Sequence, residues 1–328
     1  MPFPVATGGS TPPIFPSGSS GNGLAATGFI PEIWSGKLVE KFYDSTVLAA
    51  ISNTDYEGEI KNQGDKVKIR TKPTITIRNY LADAALQVER PQGNVLELEI
   101  NKGRYFNLIL DDVMEIQSDL DVLSMWADDA SEQFKINVDT DVLSGILGQA
   151  NAANRGANAG RISQSINLGA TTAPLALVAR DAQVGEVEIL DMLLRLGQTL
   201  DEQNIPEQGR WVILPVWAVS MLKFSDLRQA YLTGDSVSVL RNGRVGMIDR
   251  FTIYSSNLLP TGTLGGLAAG ETAVYAGHSH GLTFASQFSK METLRSESTF
   301  GTLLRGLQVY GYKVVDGVAI AQAIITPA

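Results

Sequence analysis

The stretch DDVMEIQSDLDVLSMWADDASEQFKINVDTDVLSGIL, residues 111–147, carries the most regular pattern in the chain. Val113, Ile116, Leu120, Leu123, Ala127, Ala130, Phe134, Val138, Val142 and Ile146 follow one another in steps of three and four, and Asp119, Asp128, Asp129 and Glu132 fall on other faces. That spacing predicts one amphipathic helix. Asp111 and Asp112 favour its start by capping the free amides and by meeting the positive end of the helix dipole. At 1.5 Å per residue, an unbroken helix from Asp112 to Leu147 would be roughly 50 Å long, well beyond the usual globular helix. A coiled-coil reading is weaker, because the stripe is wide and lacks paired e and g charges.

On the N-terminal side of this helix, residues 55–110 read as a long β-excursion. Lys66-Val67-Lys68-Ile69-Arg70 alternates basic with apolar, and Leu96-Glu97-Leu98-Glu99-Ile100 alternates apolar with acidic. A period of two puts one kind of side chain on each face. Paired antiparallel, the two runs set Glu97 and Glu99 near Lys66, Lys68 and Arg70, contacts worth about 0.2–1 kcal/mol each. Between them Tyr80 to Gly93, with the turn residues Arg90-Pro91-Gln92-Gly93, forms the tip of an extended hairpin. A two-stranded ribbon is marginal in water, so this one is expected to rest on something outside its own subunit. Lys66, Lys68, Arg70, Tyr80, Arg90, Glu97 and Glu99 are therefore the expected subunit-interface residues.

Further out, residues 1–28 are rich in Pro, Gly, Ser and Thr and read as an arm that orders only on a neighbour. From Pro31 a helical pattern runs through Ile33, Trp34, Leu38, Val39, Phe42 and Val47. Gly148 to Gln183, small and polar, reads as a long surface insertion. A helix over Val187–Leu200, a buried strand Trp211–Leu214 and a short helix Val216–Phe224 follow. The remainder is mostly strand: Met247–Ile248, Phe251–Ser255, Thr272–Tyr275, Leu282–Ala285, Leu303–Val315 and Val318–Ile325. The class is α+β.

Composition narrows the functions. The 328 residues carry a net charge of −9, with 44% hydrophobic and 19% charged residues and no cysteine. An acidic balance argues against wrapping nucleic acid directly. The lack of cysteine excludes disulfides and thiolate chemistry and fits a reducing cytoplasm. No apolar run approaches the length of a membrane span, and the N-terminus lacks a signal-peptide pattern.

Reactive residues are few. His278 and His280 form an H-x-H, but flanking Gly277 and Gly281 mark a turn more than a metal site. The pairs Asp111-Asp112 and Asp128-Asp129 diverge on a helix and have a structural explanation at its start. Gly262 to Gly270 lacks the lysine of a phosphate loop. Trp34, Trp126, Trp211 and Trp217 sit in apolar patterns that suit a core. No catalytic, metal or cofactor site is expected.

The order of parts resembles the major capsid proteins of tailed bacteriophages, with the Hong Kong 97-like fold. Gly64-Asp65-Lys66-Val67-Lys68-Ile69 carries the resemblance, as do Val245-Gly246-Met247-Ile248 leading to Phe251-Thr252-Ile253-Tyr254-Ser255-Ser256-Asn257, and Leu304-Arg305-Gly306-Leu307-Gln308-Val309-Tyr310-Gly311-Tyr312-Lys313-Val314-Val315. Asp249-Arg250 departs from the pattern, since related coats often carry Gly before the equivalent of Phe251. The resemblance implies an N-terminal arm and short helix over 1–53 and an extended loop over 54–110. It implies a peripheral domain over 111–150 and 286–315, and an axial domain over 151–285 and 316–328. It also implies hexamers and pentamers of an icosahedral shell around double-stranded DNA, in a virion assembled in the host cytoplasm. Portal, decoration and scaffolding proteins are the implied partners, the scaffold being separate because only about thirty residues precede the first helix. No residues stand out as a lysine–asparagine crosslink. The alternatives are a nanocompartment shell of the same fold and a soluble hydrolase or carbohydrate-binding protein using the acidic pairs.

Overall fold

The computed structural model describes residues 46–55, 66–73, 75–80, 85, 87–117, 121–225, 246–262, 266–297 and 299–328. The expected arm over 1–28 and most of the helix from Pro31 lie outside them. What is described belongs to one compact unit that begins at Phe42.

Its largest element is a seven-stranded mixed sheet, built from β4 (Leu175–Val178), β5 (Glu186–Glu188), β6 (Arg210–Leu214), β7 (Met247–Ile248), β8 (Phe251–Ser255), β9 (Thr272–His278) and β12 (Ile320–Pro327), in the order β5-β4-β12-β9-β6-β8-β7. Its central strands are buried on both faces, which is why they read as continuous apolar runs and not as alternation. Val212, Leu214, Val274, Ala276, Ala321 and Ala323 face one core, which two helices complete, Ile189–Glu202 and Val216–Phe224. Trp211, Ile213, Ala273, Tyr275, Ile320 and Ile324 face the other, together with the helix Val122–Gly145.

In chain order the helices are α1 (Leu48–Ile51), α2 (Asp112–Gln117), α3 (Val122–Gly145), α4 (Ile189–Glu202) and α5 (Val216–Phe224). The single long spine expected over Asp112–Leu147 is thus two helices. The reason is a second start signal inside the apolar stripe: Asp121 caps α3, its carboxylate accepting from the Ser124 amide at 3.2 Å. At 24 residues, α3 is about 36 Å long. Only the C-terminal part of the stripe is core: Val138, Val142 and Ile146 are buried, whereas Val113 and Ile116 are exposed. The Tyr275 hydroxyl donates to the Leu143 carbonyl at 2.9 Å and ties this end of α3 to β9. Its burial pushes the phenol well above its ordinary pKa. As expected, Asp111 accepts from the Val113 amide at 2.8 Å at the start of α2.

A second sheet, in the order β10-β11-β3, consists of β3 (Lys102–Asp111), β10 (Leu282–Arg295) and β11 (Gly301–Val314). Here β10 extends well past the expected Leu282–Ala285. Its polar second half pairs with β11 in a register that sets Glu292 against Arg305 and Lys290 against Leu307. The strand is carried by cross-strand partners, not by its own apolar residues. β3, expected as the end of the excursion, pairs instead with β11, from Gly301 opposite Asp111 to Tyr310 opposite Lys102.

Gly148–Gln183 is not a surface insertion. Ala159, Ile166, Leu168, Leu175 and Leu177 are core residues, and the segment supplies β4. Small polar residues enter the interior because their groups are satisfied: buried Asn154 donates to the Val318 and Ile320 carbonyls at 2.6 and 3.0 Å and accepts from Gln203 at 2.8 Å. Gly169 marks a tight approach to backbone. Its φ is +77°, and a Cβ there would lie 2.3 Å from the Ile324 carbonyl oxygen and 3.0 Å from the Leu175 nitrogen. Gly169→Ala adds about 1–2 kcal/mol of left-handed strain to about 1–3 kcal/mol of overpacking. A loss of roughly 2–5 kcal/mol is expected in denaturant unfolding of the unassembled subunit.

Asp249 and Arg250 form the two-residue turn between β7 and β8, with φ of 45° and 65°. Glycine would adopt this turn without strain. Arg250 holds it by pairing with Asp201 at 2.9 Å and Glu207 at 2.6 Å, while Asp201 also meets buried Arg210 at 2.7 Å.

Candidate assembly surfaces

The expected ribbon forms: β1 (Lys66–Arg70) and β2 (Val95–Glu99) pair antiparallel, with Lys66 opposite Glu99 and Lys68 opposite Glu97. The ion pairs measure 2.5 and 3.7 Å. All four groups are substantially exposed, so each pair contributes about 0.2–1 kcal/mol. Arg70 sits opposite Val95, on the same face as Glu97 and one pair further along.

The support under this ribbon differs from expectation. Val67, Ile69, Leu96 and Leu98 on its other face pack on Ile100, Ala285, Val309 and Val315 of the same chain. Leu98 is fully buried. The root therefore rests on its own subunit, where β10 and β11 supply the missing third layer. Contact is as close as backbone allows: a Cβ on Gly311 would lie 2.2 Å from the Glu99 carbonyl oxygen and 3.0 Å from the Ile100 Cα.

Beyond the root the described residues have no such cover. The Thr71 amide donates to the Asn94 carbonyl at 2.9 Å, and no strand is assigned among the described residues from 71 to 94. Ile77 and Val88 are each 91% exposed, Tyr80 78% and Ile75 65%. Arg90 is exposed beside them. Residues 81–84 and 86 of the expected tip lie outside the described set.

A second apolar surface is the face of the three-stranded sheet turned away from α3. The α3 side takes Phe106, whose ring lies 5.3 Å from that of Phe134. By alternation Tyr105, Ile109, Leu303 and Leu307 occupy the other side. Tyr105, Ile109 and Leu307 are exposed there, as are Leu294 on the adjacent β10 and Phe300 at the hairpin end. Glu292 accepts from Lys290 and Arg305 on this surface, and those two contacts hold its carboxyl below the ordinary carboxylate range.

Sequence patterns gave no hint of the node that fixes the three-stranded sheet to α3. The Asp141 carboxylate accepts from Lys102 at 2.7 Å and from the Tyr310 hydroxyl at 3.0 Å, and Tyr312 donates to the Asp141 carbonyl at 3.1 Å. These partners are distant in sequence and adjacent only through the β3–β11 register. Equally hidden is Asp139, a buried residue in the middle of α3. It accepts from the amides of Val47 at 2.6 Å and Leu48 at 3.2 Å. Burial pushes its carboxyl above the ordinary range, and the two amides offset part of that rise.

The groups screened for chemistry have structural roles. His278 closes a turn by accepting from the His280 amide at 3.1 Å. Asp112 holds Arg295 through both oxygens. Trp211 is core, and Trp126 and Trp217 are half-buried; Trp34 lies outside the described residues. Among the described residues no group of three His, Cys, Asp or Glu side chains is placed to hold a metal ion, and no helix is long and apolar enough to cross a membrane.

A ribbon rooted on a three-stranded sheet, an α-helix along that sheet and a separate mixed sheet define a shell-subunit architecture of the Hong Kong 97-like class. Solved chains share it. One from Mycobacterium phage Che8 superposes with a TM-score of 0.70 at 22% identity, over 90% of this chain and 97% of that one. One from the capsid of Cyanophage P-SCSP1u gives 0.70 at 14% identity, over 94% and 96%. The capsid of a native GTA particle gives 0.65 at 14%, over 92% and 97%. No curated protein matches the sequence significantly. Residues 96–323 match the family model described as phage capsid protein. The chain belongs to the phage capsid protein family.

Proposed function

We propose that this chain is the major capsid protein of its phage, a structural subunit that assembles with copies of itself into hexamers and pentamers of an icosahedral shell enclosing double-stranded DNA. The observation that carries the reading is the exposed apolar surface. Ile75, Ile77, Tyr80 and Val88 project beyond a root that is itself well packed, and Tyr105, Ile109 and Leu307 lie open on the sheet. A lone soluble subunit has no use for two such patches, whereas neighbours around a symmetry axis bury them in repeating heterologous contacts. The family match favours a phage shell over a nanocompartment shell, and nothing at the acidic pairs favours a hydrolase.

In this reading the ribbon residues Lys66, Lys68, Arg70, Glu97 and Glu99 position the loop, and Tyr80 and Arg90 meet the neighbour. Residues 111–150 and 286–315 act as the peripheral domain, and 151–285 with 316–328 as the axial domain. Assembly takes place in the host cytoplasm, with a separate scaffolding protein and a portal protein as partners, and a decoration protein on phages that carry one. DNA is enclosed without sequence-specific contacts. The purified chain, alone or with its scaffold, is expected to form megadalton particles or ring-shaped capsomers in negative-stain microscopy. A monomer that binds a small ligand and never assembles would overturn the reading.

A further inference from the structure

The segment Thr46–Asn53 is docked on α3 in an unusual way. Val47, Leu48 and Ile51 are buried among Val138, Val142 and other apolar side chains. The single helical turn α1, four residues long, cannot hold itself and depends on that docking. At its far end the Asn53 amide donates to the Leu282 carbonyl at 2.8 Å, and the Phe284 amide donates to the Asn53 carbonyl at 3.0 Å. At its near end the polar anchor is Asp139, 3% exposed, which takes both the Val47 and the Leu48 amide on one oxygen.

Two amides are what a carboxylate at a helix start ordinarily receives, but such caps are ordinarily wet. Here the charge is enclosed, and among the described residues no lysine or arginine pairs with it. The charged and titratable groups on the elements packed around it are engaged elsewhere. Lys135, one turn earlier on α3, pairs with Glu132. Asp141 holds Lys102 and Tyr310. Tyr312 of β11 donates to the Asp141 carbonyl. Tyr275 of β9 donates to Leu143. Asp55, beyond the segment, accepts from Asn53. A buried carboxylate with no counter-charge is costly to keep ionised. A carboxylate freed from such an enclosure regains water, and that cost falls.

We propose that Asp139 is a pH-sensitive catch that keeps the docking of residues 46–53 on α3 reversible, tightest when the carboxyl is neutral and loosest when it is ionised. The direction follows from linkage. The docked state binds the proton more tightly than the undocked state, so docking is strongest below the ordinary carboxylate pKa and weakens as pH rises through the raised one. A subunit that must fit five-fold and six-fold settings with one sequence gains from a segment that can leave its seat. The inference goes beyond the shell reading and does not depend on it, because its test needs no particles.

Hydrogen exchange of the full-length, unassembled chain, corrected for the intrinsic pH dependence of exchange, reads the catch directly. From about pH 4 to about pH 8 the protection of the Val47–Ile51 amides, taken relative to those of Ala273–Ala276 in β9, should fall by up to roughly tenfold per pH unit while the carboxyl titrates. In Asp139→Asn, which keeps an oxygen acceptor and cannot ionise, that slope should be gone. A flat or rising wild-type profile, or a slope that survives in Asp139→Asn, overturns the proposal. The wild-type series decides even if the variant folds poorly.

Discussion

Deleting Tyr80–Gly93 and closing the loop with a short turn is expected to leave a soluble, folded subunit that no longer makes shells. The two halves of this expectation rest on different parts of the molecule. Folding survives because the ribbon root is held within its own chain, with Leu98 and Ile69 buried against Ile100 and Ala285, and because none of the described residues of the deleted stretch belongs to the three cores. Assembly fails because the excised part includes exposed Tyr80 and Val88, whose burial in a neighbour would be worth about 1.5–3 kcal/mol for a side chain the size of valine. In a closed shell each subunit makes that contact once, so the loss is repeated at every copy. Circular dichroism should show an unchanged fold, and sedimentation should show no particles. Normal shells from the deletion would remove the loop from the assembly interface.

Leu98→Ala is expected to have the largest effect of any single substitution in the ribbon. Truncating a fully buried leucine costs about 2–5 kcal/mol, depending on how far the site collapses. The charged face has far less to lose: its two exposed ion pairs together offer at most about 2 kcal/mol. The loss should therefore appear as local release of β1 and β2, seen as new proteolysis within residues 66–70 and 95–99, while the seven-stranded sheet stays protected. Double substitution of Lys66 and Lys68 by alanine should cost far less. Equal effects from the two variants would mean that charge pairing, not the apolar face, holds the root.

The contrast between these two faces shows what could be read from the residues. Strict alternation in 66–70 and 96–100 identified the strands, their antiparallel pairing and the meeting of the basic face with Glu97 and Glu99, because side-chain period and charge complementarity are local properties; which lysine meets which glutamate came from the register. The seat beneath them was not legible. Ala285, Val309 and Val315 are roughly two hundred residues away, and nothing in their own spacing marks them as a platform. The helix break is a different case. Asp121 caps α3 by accepting a backbone amide, which any non-proline residue at position 124 would supply, and the apolar stripe running past it masks the break. In Gly148–Gln183 composition misled, since Asn154 is buried only because two carbonyls of the β12 approach accept its amide. Asp139 and Asp141 looked like two more polar positions on a helix. Their roles come from which strand or segment tertiary packing brings opposite them.

Gly311 sets a mechanical tolerance. Where β11 passes the end of β2 there is no room for a methyl group, so any tilt of the loop turns about a backbone-to-backbone contact. Twelve residues of extended chain reach at most about 40 Å from such a pivot. Over that reach a tilt of about 5° displaces the end by about 3–4 Å, more than the length of a hydrogen bond. The aim of the loop is thus sensitive to this one close approach, made at a residue with no side chain.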